Sequence, residues 1–394
     1  MMLGLLLARA GVGVEVHEKH ADFLRDFRGD TLHPSTLQVM HELGLLERLL
    51  ELPHEKVPRF SARMGDRDVV IADLAHLPVV APFIALMPQW DFLNFIAREA
   101  KRYPTFSLYM RSEVTGVVAR DDRVVGARLG SEERPGNLVV AADGRHSEVR
   151  KAAALPAEEF GVPIDVLWFR LSRRASDPGQ TMALFGAGSL IVLLNRGDYW
   201  QCAYVIGKGA AQEVQARGLP WFQDSVAKRL PWAGDRVAEL DDWDKIKLLT
   251  VMVDRLLRWH QPGLLCIGDA AHAMSPVGGV GINLAIQDAV AASNILAGPL
   301  LAGKLGPQHL EAVQSRRDFP TRFTQRLQLT IQKQLIARAL TAEADFRPPM
   351  FIRLLMAFPF LSRIPARLIG LGVRPEHVRT SAAAPERARP GTTG

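Results

Sequence analysis

Cysteine, long apolar runs and clustered charge are all scarce in this chain of 394 residues. The two cysteines, Cys202 and Cys266, lie in apolar strand-like runs, which argues against a disulfide framework or a metal cluster and favours a reducing, cytoplasmic location. No segment approaches the roughly 18 consecutive apolar residues of a membrane-spanning helix. The net charge of +6 is spread along the chain, which disfavours a dedicated nucleic-acid surface.

The opening stretch, MMLGLLLARAGVGVEVHEKH, lacks the basic residues that precede the apolar run of a signal peptide. It predicts a helix that ends at Gly11 and a strand of alternating valines that ends at Glu18. A helix followed by an acid-tipped strand is the second half of a dinucleotide-binding unit, although an apolar helix and a short strand also begin many other folds. The first half, a strand and a G-x-G-x-x-G turn, would fall at or before Met1. We therefore expect either a start assigned too late or a damaged enzyme.

The pattern of helices and strands changes twice along the chain. Residues 1–154 mix both patterns, whereas 155–256 alternate apolar and polar residues between turns, as antiparallel strands do. Residues 257–300 return to a strand, a loop and a long apolar helix, so the chain leaves its first domain and comes back to it. Helical patterns dominate 301–380, and 381–394, rich in Pro, Ala and Thr, are expected to form a disordered tail.

Local signals place three elements within the first segment. Ser35 and Thr36 follow Pro34 and predict a capped amphipathic helix. A second helix is expected to open near Gln89, and Asp121-Asp122 is expected to turn a hairpin.

The strongest chemical signal is LLCIGDAAHAMSPVGGVGINLAIQDA, Leu264–Ala289. A buried strand ends just before Asp269, whose side chain can reach a polar ligand, and three glycines at 278, 279 and 281 lead into a helix. Glycines let backbone N–H groups approach an electron-rich ring, and a helix N-terminus adds partial positive charge that favours an anion, as the pyrimidine ring of a reduced flavin requires. A tightly packed glycine turn is the alternative, but it does not explain Asp269, Pro276 and Asn283 together.

That stretch resembles the GD motif of the flavoprotein aromatic hydroxylases, the group A monooxygenases related to para-hydroxybenzoate hydroxylase. VVAADGRHSEVRK, Val139–Lys151, resembles their DG motif. FRGDTLHPSTLQVM resembles their segment after the ribose-binding acid, and MPQWDFLNFI resembles their helix with a flavin-contacting Gln. These matches run in order from Met2 to about Leu300 and so cover most of the chain. The chain departs from the family in lacking the first strand and the G-x-G-x-x-G turn.

The resemblance implies an α/β fold in which a Rossmann-like FAD-binding domain is interleaved with an antiparallel-sheet substrate domain, followed by C-terminal helices. It implies an FAD-dependent monooxygenase that uses NAD(P)H and O2 to hydroxylate an aromatic or other small organic substrate through a flavin C4a-hydroperoxide. Because the cofactor supplies this chemistry, no protein nucleophile or metal ion is needed. Two alternatives stay open: a flavin oxidoreductase of the same fold that does not hydroxylate, and a remnant unable to hold FAD. A halogenase is disfavoured, since no W-x-W-x-I-P stretch is found.

The resemblance also assigns cofactor contacts residue by residue. Glu18 would bind the adenosine ribose, and Arg28 and Gln89 would contact the pyrophosphate or ribityl region. Asp143 would serve the FAD site and lie near the NAD(P)H docking position. The alternatives are a solvated strand end for Glu18, a surface cation for Arg28 and a helix cap for Gln89.

In the GD stretch, Asp269 would hold a ribityl hydroxyl and Pro276 would lie near the reactive edge of the flavin. Gly281 opens the helix, and the backbone of Ile282 and Asn283 would face the pyrimidine oxygen. These residues complete the expected FAD site, and no metal ligand is expected.

No catalytic side chain is assigned from the sequence. His272 could move protons next to a flavin, but a histidine in such a loop more often packs as a structural residue. In the resembling family the second-domain sheet forms the roof of the substrate pocket, although strand aromatics are more often core residues. The candidates for this roof are Trp168, Arg170, Trp200, Gln201 and Tyr204.

The segment 347–373 combines dense apolar residues with Arg353, Arg363 and Arg367. Basic amphipathic helices favour anionic membrane surfaces, whereas apolar residues on all sides favour a helical layer packed over the two domains. We expect the packed layer and no membrane association. A homodimer is compatible with the sequence.

Overall fold

The computed structural model describes residues 1–24, 31–65, 67–186, 188–342 and 349–383. The α-helices are α1 Met2–Arg9, α2 Pro34–Glu42, α3 Leu46–Leu50, α4 Gln89–Ala100, α5 Glu148–Ala152, α6 Ala211–Ala216, α7 Leu219–Arg229, α8 Gly281–Leu301, α9 Pro307–Ile331, α10 Ala337–Thr341, α11 Met350–Ala357 and α12 Arg363–Gly370. The strands are β1 Val14–Glu18, β2 Thr31–Leu32, β3 Glu55–Val57, β4 Arg59–Met64, β5 Arg67–Asp73, β6 Ile84–Leu86, β7 Phe106–Met110, β8 Gly116–Arg120, β9 Arg123–Leu129, β10 Glu132–Pro135, β11 Val139–Ala141, β12 Ala157–Phe160, β13 Ile164–Ser172, β14 Met182–Gly186, β15 Ser189–Asn195, β16 Tyr199–Gly207, β17 Lys247–Leu249, β18 Val253–Leu256, β19 His260–Gln261 and β20 Leu264–Cys266.

The first body of the fold is a parallel layer, made of the pairs β1–β7 and β11–β20, on which α1 and α8 pack. Helix α1 buries seven of its eight residues, because it is apolar on nearly every face. Its Leu5 and Leu6 share one core with Phe95 of α4 and Val290 of α8. As expected, α4 begins at Gln89, and a hairpin turns at Asp121-Asp122. Both aspartates have positive φ.

The second body is a large sheet with the strand order β17-β13-β16-β15-β14-β4-β5. Its pairs are antiparallel except β4–β14, which is parallel. The antiparallel sheet expected within 155–256 is therefore present, but β4 and β5 extend it from residues 59–73, which the sequence placed in the first domain. Strand pairing joins segments that are more than a hundred residues apart, and no local pattern reveals such a partner.

Helix α2 begins at Pro34, with His33 at the N-cap position and no side-chain cap. The expected capping by Ser35 and Thr36 is therefore wrong, since both lie inside the helix. The Thr36 hydroxyl instead donates a hydrogen bond of 2.7 Å to Asn283 Oδ1 on α8. A longer-range contact has replaced the local one.

The C-terminal region differs from expectation at two points. The amide of Ala383 donates to the carbonyl of Arg9, so the expected disordered tail does not begin at 381, and 384–394 lie outside the described residues. Helices α11 and α12 pack against β5 and bury Ile352 and Ala366, so the helical layer lies on the large sheet as expected. Six large apolar side chains of this region are nevertheless exposed, which the expected packing did not include.

Among the described residues, one helical stretch, Val277–Leu301, is long and apolar enough to cross a membrane, and 61% of its most apolar window is buried inside the protein. Its burial is that of a core helix.

Candidate active site

A cavity of about 2290 Å³ lies between the parallel layer and the large sheet. Pockets for a single small molecule usually measure about 300 to 1,000 Å³, so this cavity has room for a dinucleotide and a second ligand. The wall on the side of the parallel layer carries every titratable side chain that lines the cavity among the described residues. They lie within 15–20 and 143–148 and at Glu113 and Asp269.

The sequence-predicted residues converge on this polar wall. Asp269 follows β20 and lies 3.7 Å from Arg145, measured between Oδ2 and a guanidinium nitrogen, with 34% of the Asp269 side chain exposed. Asp143 accepts a hydrogen bond of 3.2 Å from the amide of Val149, which ties the DG loop to the start of α5. Also lining the cavity are Glu18, Gln89, Pro276, Gly281 and Ile282. Arg28 lies outside the described residues.

The loop before α8 is held open by glycine. Gly279 has φ of +63°, and a Cβ there would clash with the Thr31 hydroxyl. Thr31 Oγ1 in turn donates to the carbonyl of Gly279 at 2.9 Å. The first amides of α8 have no acceptor inside the helix and meet the cavity at Gly281 and Ile282, so they are suited to an electron-rich ligand.

Asn283 does not line the cavity; its side chain holds the glycine loop from behind. Its Oδ1 accepts from the amide of His33 at 2.9 Å and from the Thr36 hydroxyl at 2.7 Å. Its Nδ2 donates to the carbonyls of Thr31 and Gly279, at 2.9 and 3.1 Å. All the hydrogen-bonding capacity of this side-chain amide is engaged on its own chain, so the Asn283 side chain supports the loop and is not available to a ligand.

His33, whose amide donates to Asn283, also contacts α12. Its Nδ1–H donates to the carbonyl of Ile369 at 2.7 Å, and its Nε2 is buried without a hydrogen-bond partner among the described residues. Burial lowers the pKa of His33 from 6.5 to about 4, although the hydrogen bond to Ile369 opposes the shift. His33 is therefore neutral near pH 7.

The side chain of Asp288 on α8 is fully buried and holds the backbone that follows β20. It accepts hydrogen bonds from the amide of Gly268 at 3.0 Å, from His272 Nε2 at 2.6 Å and from Arg317 Nε at 2.9 Å. Burial alone would raise the pKa of Asp288, but the His272 and Arg317 side chains outweigh it and lower the pKa. His272 is 1% exposed and does not line the cavity, so its position is that of a residue that supports the loop.

The opposite wall is one face of the large sheet and is apolar. Side chains alternate across a strand, so Gln201, Ala203 and Val205 of β16 line the cavity. Trp200 and Tyr204, two of the roof candidates, lie on the other face and pack under α7, so for them the alternative of a core position holds. Trp168 and Gln201 do line the cavity, whereas Arg170 lies over the Tyr199 ring, 4.8 Å from its centroid, and does not.

Residues 1–326 match the family model described as the FAD binding domain. The chain belongs to this family. It is 30% identical over 356 residues to 6-methylpretetramide 4-monooxygenase of Streptomyces rimosus, across 88% of this chain and 84% of that protein. The cofactor is therefore FAD, and the protein is an FAD-dependent oxidoreductase whose relatives are monooxygenases.

Solved structures share the fold at low sequence identity. A probable FAD-dependent monooxygenase from Pseudomonas aeruginosa superposes with a TM-score of 0.72 at 20% identity, across 86% of this chain and 94% of that one. A Diels-Alderase of pyrroindomycin biosynthesis also superposes with a TM-score of 0.72, at 22% identity, across 94% of this chain and 77% of that one. The α/β fold with C-terminal helices is confirmed. The fold is compatible with more than one chemistry.

The donor set of the cavity fits FAD. The glycine loop leaves space that a Cβ would fill, and Asp269 and Glu18 place carboxylates where sugar hydroxyls could donate. Among the described residues, no group of three or more His, Cys, Asp and Glu side chains could hold a metal ion. Both cysteines are buried and free, and burial raises the pKa of Cys266 to about 12, so this thiol stays protonated.

Sequence reasoning missed the residues that support the site from behind. Asp288 belongs to the GD stretch, yet no nearby residue indicates that Arg317 of α9 pairs with it. Glu376 joins the same group through an ion pair of 3.3 Å with Arg317. The side-chain role of Asn283 was missed for the same reason: its partners at 31–36 lie some 250 residues away. The signal that could have found these contacts is an unusually polar face on an otherwise apolar helix.

Proposed function

We propose that the protein is an FAD-dependent monooxygenase that hydroxylates a large, predominantly apolar aromatic substrate, with NAD(P)H and O2 as co-substrates. The observation that carries the proposal is the difference between the two walls of the cavity. One wall carries acidic side chains and backbone amides suited to a flavin, and the other is an apolar sheet face with a single polar strand residue, Gln201. The relative from Streptomyces rimosus, named as a 6-methylpretetramide 4-monooxygenase, supports monooxygenation of an organic substrate.

On the polar wall, the Glu18 carboxylate would accept hydrogen bonds from the ribose hydroxyls, and Asp269 would accept one from a ribityl hydroxyl. Gln89 at the start of α4 would contact the pyrophosphate or ribityl region, and Asp143 would stay near the approach of NAD(P)H while it holds Val149. The salt bridge with Arg145 orients the Asp269 carboxylate before the ligand arrives.

At the flavin ring, the backbone amides of Gly281 and Ile282, which line the cavity, would face the pyrimidine oxygen, and Asn283 would hold the loop that precedes them. The helix N-terminus stabilises negative charge there, and Pro276 would border the reactive edge. When bound, FAD supplies the redox chemistry, taking a hydride from NAD(P)H and, once reduced, activating O2. The protein therefore contributes binding, orientation and charge stabilisation rather than a nucleophile.

The large sheet would position the substrate and exclude water. Its strands present Phe60, Val166 and Trp168 toward the cavity, and none of its cavity-lining residues is charged among those described. A charged substrate would lose its hydration at this wall without gaining a partner, which costs several kcal/mol, roughly. A neutral ring system is therefore favoured, with Gln201 as the one strand side chain able to select a hydroxyl or carbonyl.

The test is isotope incorporation. The purified protein, loaded with FAD, is supplied with NADH or NADPH and a panel of neutral polycyclic phenols under heavy-isotope oxygen gas. We expect faster NAD(P)H oxidation with some members of the panel and one heavy oxygen atom in their products. Reduced-cofactor oxidation with no oxygen atom in any product would instead favour a non-hydroxylating flavin oxidoreductase. A colourless protein that takes up no FAD would indicate a non-catalytic remnant.

A further inference from the structure

A patch of exposed apolar side chains is concentrated in α11, α12 and the turn between them. Of the fourteen large apolar side chains that are exposed among the described residues, six fall within 350–364, so they form one patch rather than a scatter. We name this patch the C-terminal apolar surface. Its members are Met350 (75% exposed), Phe351 (45%), Leu354 (43%), Phe358 (49%), Phe360 (63%) and Ile364 (60%).

The segment that carries this surface has charge of one sign. Residues 349–373 contain Arg353, Arg363 and Arg367, all exposed, and no Asp or Glu. Positive charge beside exposed phenylalanines is the composition of a segment that lies in the headgroup region of an anionic bilayer. Helices α11 and α12 have eight residues each, far fewer than the roughly 20 needed to span a bilayer, so contact would be limited to its surface.

The C-terminal apolar surface borders the cavity. Phe351, Leu354 and Ile364 belong to the patch and also line the cavity, whereas Phe358 and Phe360 do not line it. The apolar wall is therefore continuous from the large sheet to the outer surface of α11. An apolar molecule dissolved in a bilayer would meet no charged side chain of α11 or α12 along this wall, because the arginines lie outside the cavity lining.

We propose that the C-terminal apolar surface docks the protein on an anionic lipid bilayer, with the phenylalanines among the acyl chains and the arginines at the lipid phosphates. A second copy of this chain fits less well. A two-fold interface opposes a surface to itself, and here it would bring the arginines of both copies together with no acidic residue of 349–373 to neutralise them. The proposal stands on the surface alone and is independent of the reaction.

The test is co-sedimentation of the full chain with vesicles. Neutral vesicles of phosphatidylcholine are compared with vesicles that also contain phosphatidylserine, at about 0.1 M and about 0.5 M salt. We expect binding to the anionic vesicles that weakens at the higher salt. Replacing Phe358 and Phe360 by Ser should weaken binding at least tenfold, roughly, and replacing Arg363 and Arg367 by Gln should weaken it roughly thirtyfold.

The controls are an exposed phenylalanine and an exposed arginine on α9, Phe319→Ser and Arg326→Gln, which should leave vesicle binding unchanged. Far-ultraviolet circular dichroism confirms that each variant is folded. No binding to anionic vesicles, or binding that survives the phenylalanine replacements, overturns the proposal. Light scattering that shows a dimer which Phe358→Ser with Phe360→Ser converts to a monomer overturns it in favour of a second copy.

Discussion

The two walls of the cavity are built in opposite ways. The parallel layer meets the cavity with loop backbone, a helix N-terminus and acids at strand ends, whereas the large sheet meets it with one face of apolar side chains. A dinucleotide has many polar atoms and needs the first kind of wall, which loops supply best because their amides are not committed to a ladder. An apolar substrate of the kind proposed above would need the second kind. The two walls therefore differ in the class of ligand that each suits.

A buried ion pair lies behind each wall, but among the described residues only one of the two pairs is hydrogen-bonded to a residue that lines the cavity. In the parallel layer, Asp288 pairs with Arg317 at 2.9 Å and also accepts from the amide of Gly268, beside the cavity. Behind the large sheet, Asp177 of the loop between β13 and β14 pairs with Arg236 at 2.6 Å and accepts from Trp200, on the face turned away from the cavity. The first pair therefore stabilises the site itself, and the second only the sheet.

The largest expected effect separates these two pairs. Arg317→Leu and Arg236→Leu each remove the arginine from a buried carboxylate that keeps only its other hydrogen-bond donors, which lowers the free energy of unfolding by about 3 to 5 kcal/mol. Only Arg317→Leu should also speed FAD release, because only Asp288 holds Gly268. Urea unfolding and flavin fluorescence measure the two quantities, and Arg317→Lys and Arg236→Lys keep the charge if the leucine variants fail to fold. Equal changes in FAD release for both sites would contradict the distinction.

The second effect is a difference in the pH at which the two walls lose stability, beginning with His33 behind the polar wall. The pKa of His33 falls from 6.5 to about 4 on folding, so between these values the unfolded chain binds a proton that the folded protein does not. Stability is then present above pH 6.5 and is lost as the pH falls toward 4, by about 3 kcal/mol in all.

The large sheet should respond at lower pH. Burial opposes ionisation of Asp177, but the hydrogen bonds from Arg236, Arg174 and Trp200 lower its pKa from 3.8 to about 2, so its contribution is lost only as the pH falls through that range. FAD release should therefore precede the change in tryptophan fluorescence, since five of the seven tryptophans lie between 168 and 243. The reverse order, or no change of order in His33→Asn, would argue against this assignment.

The third effect concerns the polar wall alone. Asp269→Ala would leave a ribityl hydroxyl without its acceptor, which costs roughly 1 to 3 kcal/mol, or about tenfold to a hundredfold in FAD affinity. Asp269→Asn should cost less, because an amide oxygen still accepts. Titration of apoprotein with FAD provides the measurement, and Glu51→Ala, an exposed carboxylate remote from the cavity lining, is the matched control. Unchanged FAD affinity in Asp269→Ala would show that the assignment is wrong.

The smallest effect concerns the apolar wall. Ala203→Leu adds volume on the cavity face of β16 and should raise KM for an apolar substrate roughly fivefold while FAD affinity stays unchanged. Ala216→Leu, on the exposed side of α6, makes the same change away from the cavity and should alter neither quantity. A loss of FAD in Ala203→Leu would mean that the two walls are not independent.

The sequence by itself determined the elements whose signals are local. The start of α4 at Gln89, the hairpin at Asp121-Asp122, the acid at the tip after β20 and the glycine loop before α8 all follow from residues within a few positions of one another. Side-chain period, turn chemistry and capping act over such distances, and so did the motifs that carry the family resemblance. The approximate composition of the polar wall was therefore predictable.

Only the tertiary structure decided which residues share a wall. Three features depend on segments far apart in sequence: the pairing of β4 with β14, the position of Trp168 rather than Trp200 on the cavity face of the sheet, and the partners of Asn283. A shift of one residue in strand register exchanges the two faces, and buried polar groups take whichever partner the packed chain brings within hydrogen-bond distance. Those two facts are set by packing, which a local pattern does not encode.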